Sequence, residues 1–265
     1  MKKDALLNFI KKDRFFGRVL AYIYVIEFQK RGLPHCHILI TLSSQSKINT
    51  VEKIDECISA EIPDPEINSI LHEIVMKNMI HGPCGDWCMV DGKCSKKFPK
   101  NFQEETLIDE HSFPTYRRRD TGKKFMRPHN YEVDNRFVVP YCPVLSTMFN
   151  CHLNVEVCSS LKSVKYLHKY LYKEHDAPSV VISNFTDTSV IEHDEIKTFV
   201  ESCYIGAVEA AYRILSKPLH DKSHTVVRLP VCIFRIFKIL PSVPKLVMWT
   251  LKIQLKLMES KRRKE

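Results

Sequence analysis

The chain is poor in glycine and has no long uninterrupted apolar run. Only seven of its 265 residues are glycine, and no Walker or Gly-x-Gly-x-x-Gly sequence occurs. A P-loop or Rossmann nucleotide site therefore has no support, because both need glycines where the backbone approaches phosphate. Lys or Arg interrupts every apolar stretch well before the ~20 residues that a transmembrane helix needs. Residues 1–4 lack the apolar run of a secretory signal. We therefore expect neither a membrane protein nor a secreted one.

Charge and cysteine content indicate the kind of partner and the cellular compartment. Hydrophobic residues make up 44% of the chain, enough to bury a core in one large or two small domains. The 40 Lys and Arg outnumber the 31 Asp and Glu, and the net charge of +9 is compatible with a polyanionic partner. Ten cysteines could indicate a disulfide scaffold, but that interpretation fits short secreted chains. We expect the protein to work in a reducing compartment, with mostly buried thiols and one metal site formed by cysteines.

Strand-like and helix-like segments alternate along the chain. Helices are predicted over 4–14, 51–60, from Asp64 to about Gly82, from Ser159 or Ser160 to Lys173, and from Asp194 to Ser216. Strands are predicted over 22–28, 35–42, 136–140 and 152–157, and the first two are joined by a short connection typical of a hairpin. This order predicts an α+β fold with an antiparallel sheet.

The predicted hairpin carries a candidate metal site. His35 and His37 are two residues apart, so they lie on one face of a strand. Glu27 in the preceding strand can approach both histidines, and Gln29 is the alternate ligand. Two imidazoles and one carboxylate suit Mg²⁺, Mn²⁺ or another divalent metal and leave positions open for substrate oxygens. The alternative is a pair of surface histidines on an edge strand.

A predicted helix further along the chain carries paired tyrosines. Tyr166 and Tyr170 are four residues apart and so lie one above the other, with Lys169 and Lys173 near the same face. A tyrosine hydroxyl can attack phosphorus when a base or cation assists it, and the lysines can hold a DNA backbone. The alternative is a packed aromatic helix without a catalytic role.

The order of these motifs resembles a known family. The segment Glu27-Phe-Gln-Lys-Arg-Gly-Leu-Pro-His-Cys-His-Ile-Leu is similar to the metal-binding segment of the Helitron helicase-like N-terminal domain, which belongs to the HUH endonucleases of rolling-circle replication. Four more segments resemble that family in the same order: His81-Gly-Pro-Cys-Gly with Cys94-Ser-Lys-Lys-Phe-Pro-Lys, Tyr116-Arg-Arg-Arg, Asn135-Arg-Phe-Val-Val-Pro-Tyr, and Asn154-Val-Glu-Val-Cys through Lys165-Tyr-Leu-His-Lys-Tyr. The resemblance covers roughly residues 5–230.

The resemblance implies a fold and a reaction. The fold would be an HUH or Rep-like central antiparallel sheet flanked by helices. His35, His37 and Glu27 would bind the metal, and Tyr166 and Tyr170 would be catalytic. The family nicks single-stranded DNA at transposon ends through a 5′-phosphotyrosine and releases a 3′-hydroxyl. The helicase domain of complete family members is absent here, so we expect a fragment, a decayed copy or a domesticated gene product.

The resemblance divides the chain into four segments. Residues 1–50 would form the first part of the nuclease core with its metal-binding hairpin, and residues 51–135 a helical and Cys-rich basic insertion. Residues 136–230 would complete the core with the tyrosine helix, and residues 231–265 would be a divergent basic tail. The tail ends in Lys261-Arg-Arg-Lys, which is typical of a nuclear-localisation signal, although such short runs are common.

The insertion offers a second metal site and a DNA-binding surface. Cys84, Cys88 and Cys94 with His81 could hold a structural Zn²⁺. Unligated cysteines are the alternative, because the spacing is not that of a standard zinc finger. Cations near aromatic residues indicate phosphate and base contacts, although a solvated loop is also compatible. The DNA-binding candidates of the insertion are Lys96, Lys97, Arg117, Arg118 and Arg119.

Three functions fit these features. The first is a metal-dependent single-stranded DNA endonuclease and strand transferase. The second is a catalytically inactive, truncated DNA-binding module derived from such a transposase. The third is a metal-dependent hydrolase that uses the His-x-His strand on small substrates and needs neither tyrosine.

Overall fold

The computed structural model describes residues 2–28, 34–85, 88–108, 113–128, 130–158, 206–224 and 250–256. Its helices are α1 (Lys2–Lys12), α2 (Val51–Cys57), α3 (Ser69–Asn78), α4 (Pro143–Phe149) and α5 (Ala207–Ile214). Its strands are β1 (Val19–Phe28), β2 (Pro34–Leu42), β3 (Met89–Val90), β4 (Lys93–Cys94), β5 (Phe125–Arg127), β6 (Tyr131–Val133), β7 (Leu153–Cys158), β8 (His220–Lys222) and β9 (Thr250–Lys256). None of these helices has the length and apolar character needed to span a bilayer.

Five strands form one antiparallel sheet in the order β7-β9-β2-β1-β8. The pairing of β1 with β2 confirms the predicted hairpin, whose β-branched and aromatic residues favour an extended backbone. Together with the helices, the sheet confirms the α+β class. β9 lies between β2 and β7, although its residues belong to the segment predicted as a divergent tail. Ile253 of β9 is fully buried, so that segment contributes to the core.

One face of this sheet packs against helices. Cys36, Ile38 and Ile40 alternate along β2 and are buried with Leu6 and Ile10 of α1. The same core includes residues of α2, α4 and β7, namely Ile54, Leu145, Phe149, Leu153, Val155 and Val157. Because strand side chains alternate between faces, the opposite face of β1 and β2 carries Glu27, His35 and His37.

The segment between α2 and α4 has a small core of its own. Leu71 and Val75 of α3 pack with Val133, Val138 and Tyr141. Two short hairpins, β3–β4 and β5–β6, belong to this segment. The structure therefore gives the insertion more regular structure than its irregular sequence predicted.

One predicted helix begins at the wrong residue, and one predicted strand is not a strand. α3 begins at Ser69 rather than at Asp64, because the Asn68 side chain accepts a hydrogen bond from the Leu71 backbone N–H at 3.0 Å and caps the helix. Asp64 instead accepts from the backbone N–H of Glu66 in a turn. The strand predicted over 136–140 is a 3₁₀ turn, Asn135–Phe137, followed by an isolated bridge at Val138.

Candidate metal centres and nucleic-acid interface

The hairpin brings Glu27, His35 and His37 to one face of the sheet. Glu27 lies directly opposite His35 in the antiparallel register, and His37 lies opposite Val25. Oε2 of Glu27 is 3.1 Å from Nε2 of His37, which is a hydrogen-bonding distance. The His37 side chain is only 9% exposed and the Glu27 side chain is 30% exposed. The strands thus place a partly desolvated carboxylate in contact with the imidazole of His37 and directly opposite His35 in the register.

This group can offer one carboxylate oxygen and two imidazole nitrogens to a divalent ion. The carboxylate of Glu27 contacts the imidazole of His37 directly. Among the described residues, a different set has all its ligand atoms within 4.8 Å of one another. Glu27, His35 and His37 therefore lie on one face of the sheet, and Glu27 contacts His37.

The same face continues onto β7 with residues that sequence reasoning did not select. Gln254 of β9 lies opposite both His37 and Asn154, which places Asn154 two strands, about 9.5 Å, from His37. Asn154 is 8% exposed, and its Oδ1 has no hydrogen-bond partner in the part of the chain that the structure describes. Glu156 follows at the next position on that face. Asn154 and Glu156 alternate with buried apolar residues of β7, and this sequence pattern could have identified them as residues of the opposite face.

The tyrosine helix falls on residues that the structure does not describe. Tyr166, Tyr170, Lys169 and Lys173 all lie outside the described residues, as does the alternate ligand Gln29. Their assignments stay predictions from the sequence. The basic run at 261–264 also lies outside the described residues.

The second candidate metal centre is formed by three sulfurs and one imidazole. The ligand atoms of His81, Cys84, Cys88 and Cys94 all lie within 4.8 Å of one another. Nε2 of His81 is 3.2 Å from Sγ of Cys94 and 3.4 Å from Sγ of Cys84. Such a cluster can bind a metal ion such as Zn²⁺, which takes tetrahedral sets of Cys and His ligands. The four residues predicted from the sequence are therefore brought together.

The local electrostatics of this cluster follow from its packing. Desolvation and hydrogen bonds with the neighbouring thiols raise the pKa of Cys84 to about 12. Burial acts in the same direction on Cys94, but backbone hydrogen bonds from Phe98 and Lys96 lower the pKa of that thiol. Burial, with nearby Lys100 and Lys96, lowers the pKa of His81, so its imidazole is neutral at pH 7. A neutral imidazole is the form that binds a metal.

The three consecutive arginines do not form one exposed cationic patch. Arg118 is only 4% exposed, and its Nη1 donates to the carbonyl oxygens of Ala60, Asn135 and Val138 at 3.2, 3.0 and 2.6 Å. Burial lowers its pKa to about 10. The structure thus corrects the surface position expected of Arg118, whose guanidinium joins three backbone segments.

The two flanking arginines pair with acids. Arg119 donates from its Nε and Nη2 atoms to the two carboxylate oxygens of Glu61 at 2.9 and 2.7 Å. Nη1 of Arg117 lies 3.2 Å from a carboxylate oxygen of Asp55. These acids reduce the positive field that the sequence run predicted.

The lysines beside the cysteine cluster remain on the surface. Lys96 and Lys97 are exposed and lie two and three residues after Cys94, the last residue of β4. Lys93 is exposed at the start of the same strand. We call β3–β4 and the residues up to Lys97 the cysteine hairpin. Its exposed lysines are more accessible to a phosphate backbone than the buried Arg118 is.

Part of the chain matches a known protein family. Residues 1–40 match the model of a family described as the Helitron helicase-like domain at the N-terminus. No curated protein matches the chain. The matched part contains α1, β1 and most of β2, including Glu27, His35 and His37. This similarity connects the chain with a transposon-associated function through the same hairpin that carries the candidate metal ligands.

Proposed function

We propose that the protein is a metal-dependent single-stranded DNA endonuclease and strand transferase of the Helitron type, built on an HUH-like antiparallel sheet. The observation that carries the proposal is the shared sheet face of Glu27, His35 and His37. These residues lie within the forty residues that match the Helitron helicase-like family. The substrate would be single-stranded DNA at transposon ends, and the protein would act in the nucleus.

The ligands of the catalytic ion would be His35, His37 and Glu27, with Gln29 as an alternate. An Mg²⁺ or Mn²⁺ ion held there would polarise the scissile phosphate. Glu27 also has a role of its own, because its carboxylate lies at hydrogen-bonding distance from Nε2 of His37 and can orient that ring. Metal binding would replace this contact, since the same nitrogen would become a ligand.

The nucleophile would be Tyr166 or Tyr170. The phenolic oxygen attacks phosphorus in line, the bond from phosphorus to the 3′-oxygen breaks, and the phenolic proton is released. The departing oxygen takes up a proton and becomes a 3′-hydroxyl, while the 5′-phosphate stays on tyrosine. Lys169 and Lys173 would hold the DNA backbone beside this bond. Two tyrosines allow two successive strand transfers.

A covalent-adduct assay tests the proposal. The purified chain is mixed with a pool of labelled single-stranded oligonucleotides that includes transposon ends, with Mg²⁺ or Mn²⁺, and separated on a denaturing gel. We expect a metal-dependent, SDS-resistant band that disappears in the Tyr166→Phe/Tyr170→Phe variant. Tyr172→Phe is the matched control, because its position on the predicted helix is rotated away from the pair, and the band should persist.

The assay also distinguishes the inactive DNA-binding module. The exposed Lys96 and Lys97 favour that second candidate, because they can contact phosphates without a catalytic metal. Salt-sensitive DNA binding by a folded protein, with no adduct for any oligonucleotide, would select it. Metal-dependent turnover of a small substrate that survives loss of both tyrosines would instead select the hydrolase.

A further inference from the structure

We propose that His81, Cys84, Cys88 and Cys94 bind one structural Zn²⁺ ion that fixes the β3–β4 hairpin and the lysines it carries. This site is separate from the hairpin of Glu27, His35 and His37, and it has no role in bond cleavage. The inference therefore goes beyond the proposed nuclease function and does not depend on it.

The first argument is the convergence of the four ligand atoms. They come from three places in the chain: the segment after α3, the start of the short hairpin, and β4. His81 and Cys94 are thirteen residues apart, yet Nε2 and Sγ approach to 3.2 Å. Four ligand atoms within 4.8 Å of one another can surround a single ion of tetrahedral preference.

The second argument is the orientation of the imidazole. The ring of His81 stacks on Phe98 with centroids 4.3 Å apart and an angle of 18° between the planes. Its backbone N–H donates to the carbonyl of Phe137 at 2.8 Å. Both contacts hold the ring with Nε2 directed at the sulfurs. A metal ligand held in place by surrounding contacts loses less entropy when the ion binds.

The third argument is the chemistry of the ligand set. Three sulfurs and one imidazole nitrogen lie within 4.8 Å of one another. A divalent cation would be coordinated by the three sulfurs as thiolates, with their protons released to solvent. Soft sulfur ligands with one imidazole select zinc over Mg²⁺ or Mn²⁺.

The fourth argument is the size of the hairpin. β3 and β4 contain two residues each, and Met89, Val90 and Lys93 are all exposed. The turn residues Asp91 and Gly92 both have positive φ, at 49° and 72°, as a tight hairpin turn requires. Such a small hairpin has too little apolar burial to be stable by itself. A metal that joins Cys88 and Cys94 to His81 supplies the missing stabilisation.

The test is the zinc content of the full chain and its variants, purified under reducing conditions and measured by inductively coupled plasma mass spectrometry. We expect one zinc per chain in the wild type and a zinc content at least about tenfold lower in Cys84→Ser. Cys84 is the exposed member of the cluster, so this change disturbs the core least. Cys84→His replaces one ligand type by another and should restore binding. Cys57→Ser removes a thiol outside the cluster and is the matched control.

Two further measurements make the result specific. Cobalt substitution should give thiolate-to-metal charge-transfer bands that weaken in Cys84→Ser, and His37→Ala should keep its zinc. A wild-type chain that takes up no zinc after refolding with the ion, or that contains a disulfide among these cysteines, would overturn the proposal. Zinc retained in Cys84→Ser and lost in His37→Ala would also overturn it. Zinc content is independent of cleavage, so a chain that fails the adduct assay can still pass this test.

Discussion

Oε2 of Glu27 and Nε2 of His37 lie 3.1 Å apart on adjacent strands, although Glu27 faces His35 and not His37 in the register. The contact is therefore a diagonal one across the hairpin. It places a carboxylate within reach of both histidines, because His35 lies directly opposite and His37 lies one diagonal step away. A single acid on β1 can therefore complete a metal site with both histidines of β2.

This arrangement predicts that Glu27→Gln weakens Mn²⁺ binding by at least about tenfold. The amide keeps the size of the side chain but loses the charge that balances a divalent ion. Isothermal titration calorimetry with Mn²⁺ gives the affinity. Glu73→Gln, an exposed acid on α3, is the control and should bind Mn²⁺ as the wild type does. Equal affinities for wild type and Glu27→Gln would remove Glu27 from the site.

A second prediction concerns the buried guanidinium of Arg118. Arg118→Met keeps most of the side-chain volume but leaves the carbonyls of Ala60, Asn135 and Val138 without these donors. We expect the free energy of unfolding to fall by about 3 kcal/mol, since hydrogen bonds from a charged donor to buried groups are lost. Urea denaturation followed by circular dichroism measures the change.

Arg119→Met is the control for that measurement. The Arg119 side chain is 50% exposed, and ion pairs of that exposure contribute about 1 kcal/mol or less. The two neighbouring substitutions should therefore differ clearly. Equal losses of stability would mean that the contacts of Arg118 with the three carbonyls matter no more than a surface ion pair.

The arginine run also illustrates what could be predicted from the sequence. The β1–β2 hairpin and the His81–Cys94 cluster depend on residues close together in the chain, so spacing and alternation were enough to predict them. The burial of Arg118 depends on carbonyls 17 to 58 residues away, and no local pattern encodes it. The insertion of β9 between β2 and β7 is likewise a long-range pairing. The basic residues of β9 favoured an exposed tail, whereas the burial of Ile253 agrees with a position inside the sheet.

A third prediction concerns pH and Glu61. Burial opposes its ionisation, but hydrogen bonds from the side chain and backbone of Arg119 lower the pKa of this carboxyl below its ordinary value. The folded state then binds fewer protons than the unfolded state. The stabilisation is therefore complete above the unfolded pKa, about 4.3, and is lost as the pH falls through the lowered folded pKa.

Glu61→Gln should therefore reduce the free energy of unfolding by about 1 kcal/mol at pH 7, because the charge of the hydrogen-bond acceptor is removed. The difference between the variant and the wild type should shrink as the pH falls below about 4. Urea denaturation at a series of pH values measures both quantities. A gap of constant size across that range would show that the Glu61 carboxylate charge contributes nothing to folding.

The last prediction places the DNA-binding surface on the cysteine hairpin. Each phosphate that a lysine neutralises on a single strand contributes about 0.7 to the slope of log affinity against log salt concentration. Lys96→Gln/Lys97→Gln should therefore lower that slope by about 1.4, as measured by fluorescence anisotropy with a labelled oligonucleotide. Lys12→Gln/Lys53→Gln removes the same charge from exposed positions on α1 and α2, so a local contact predicts a smaller change there. Equal changes in both double variants would mean that net charge, and not the hairpin, determines binding.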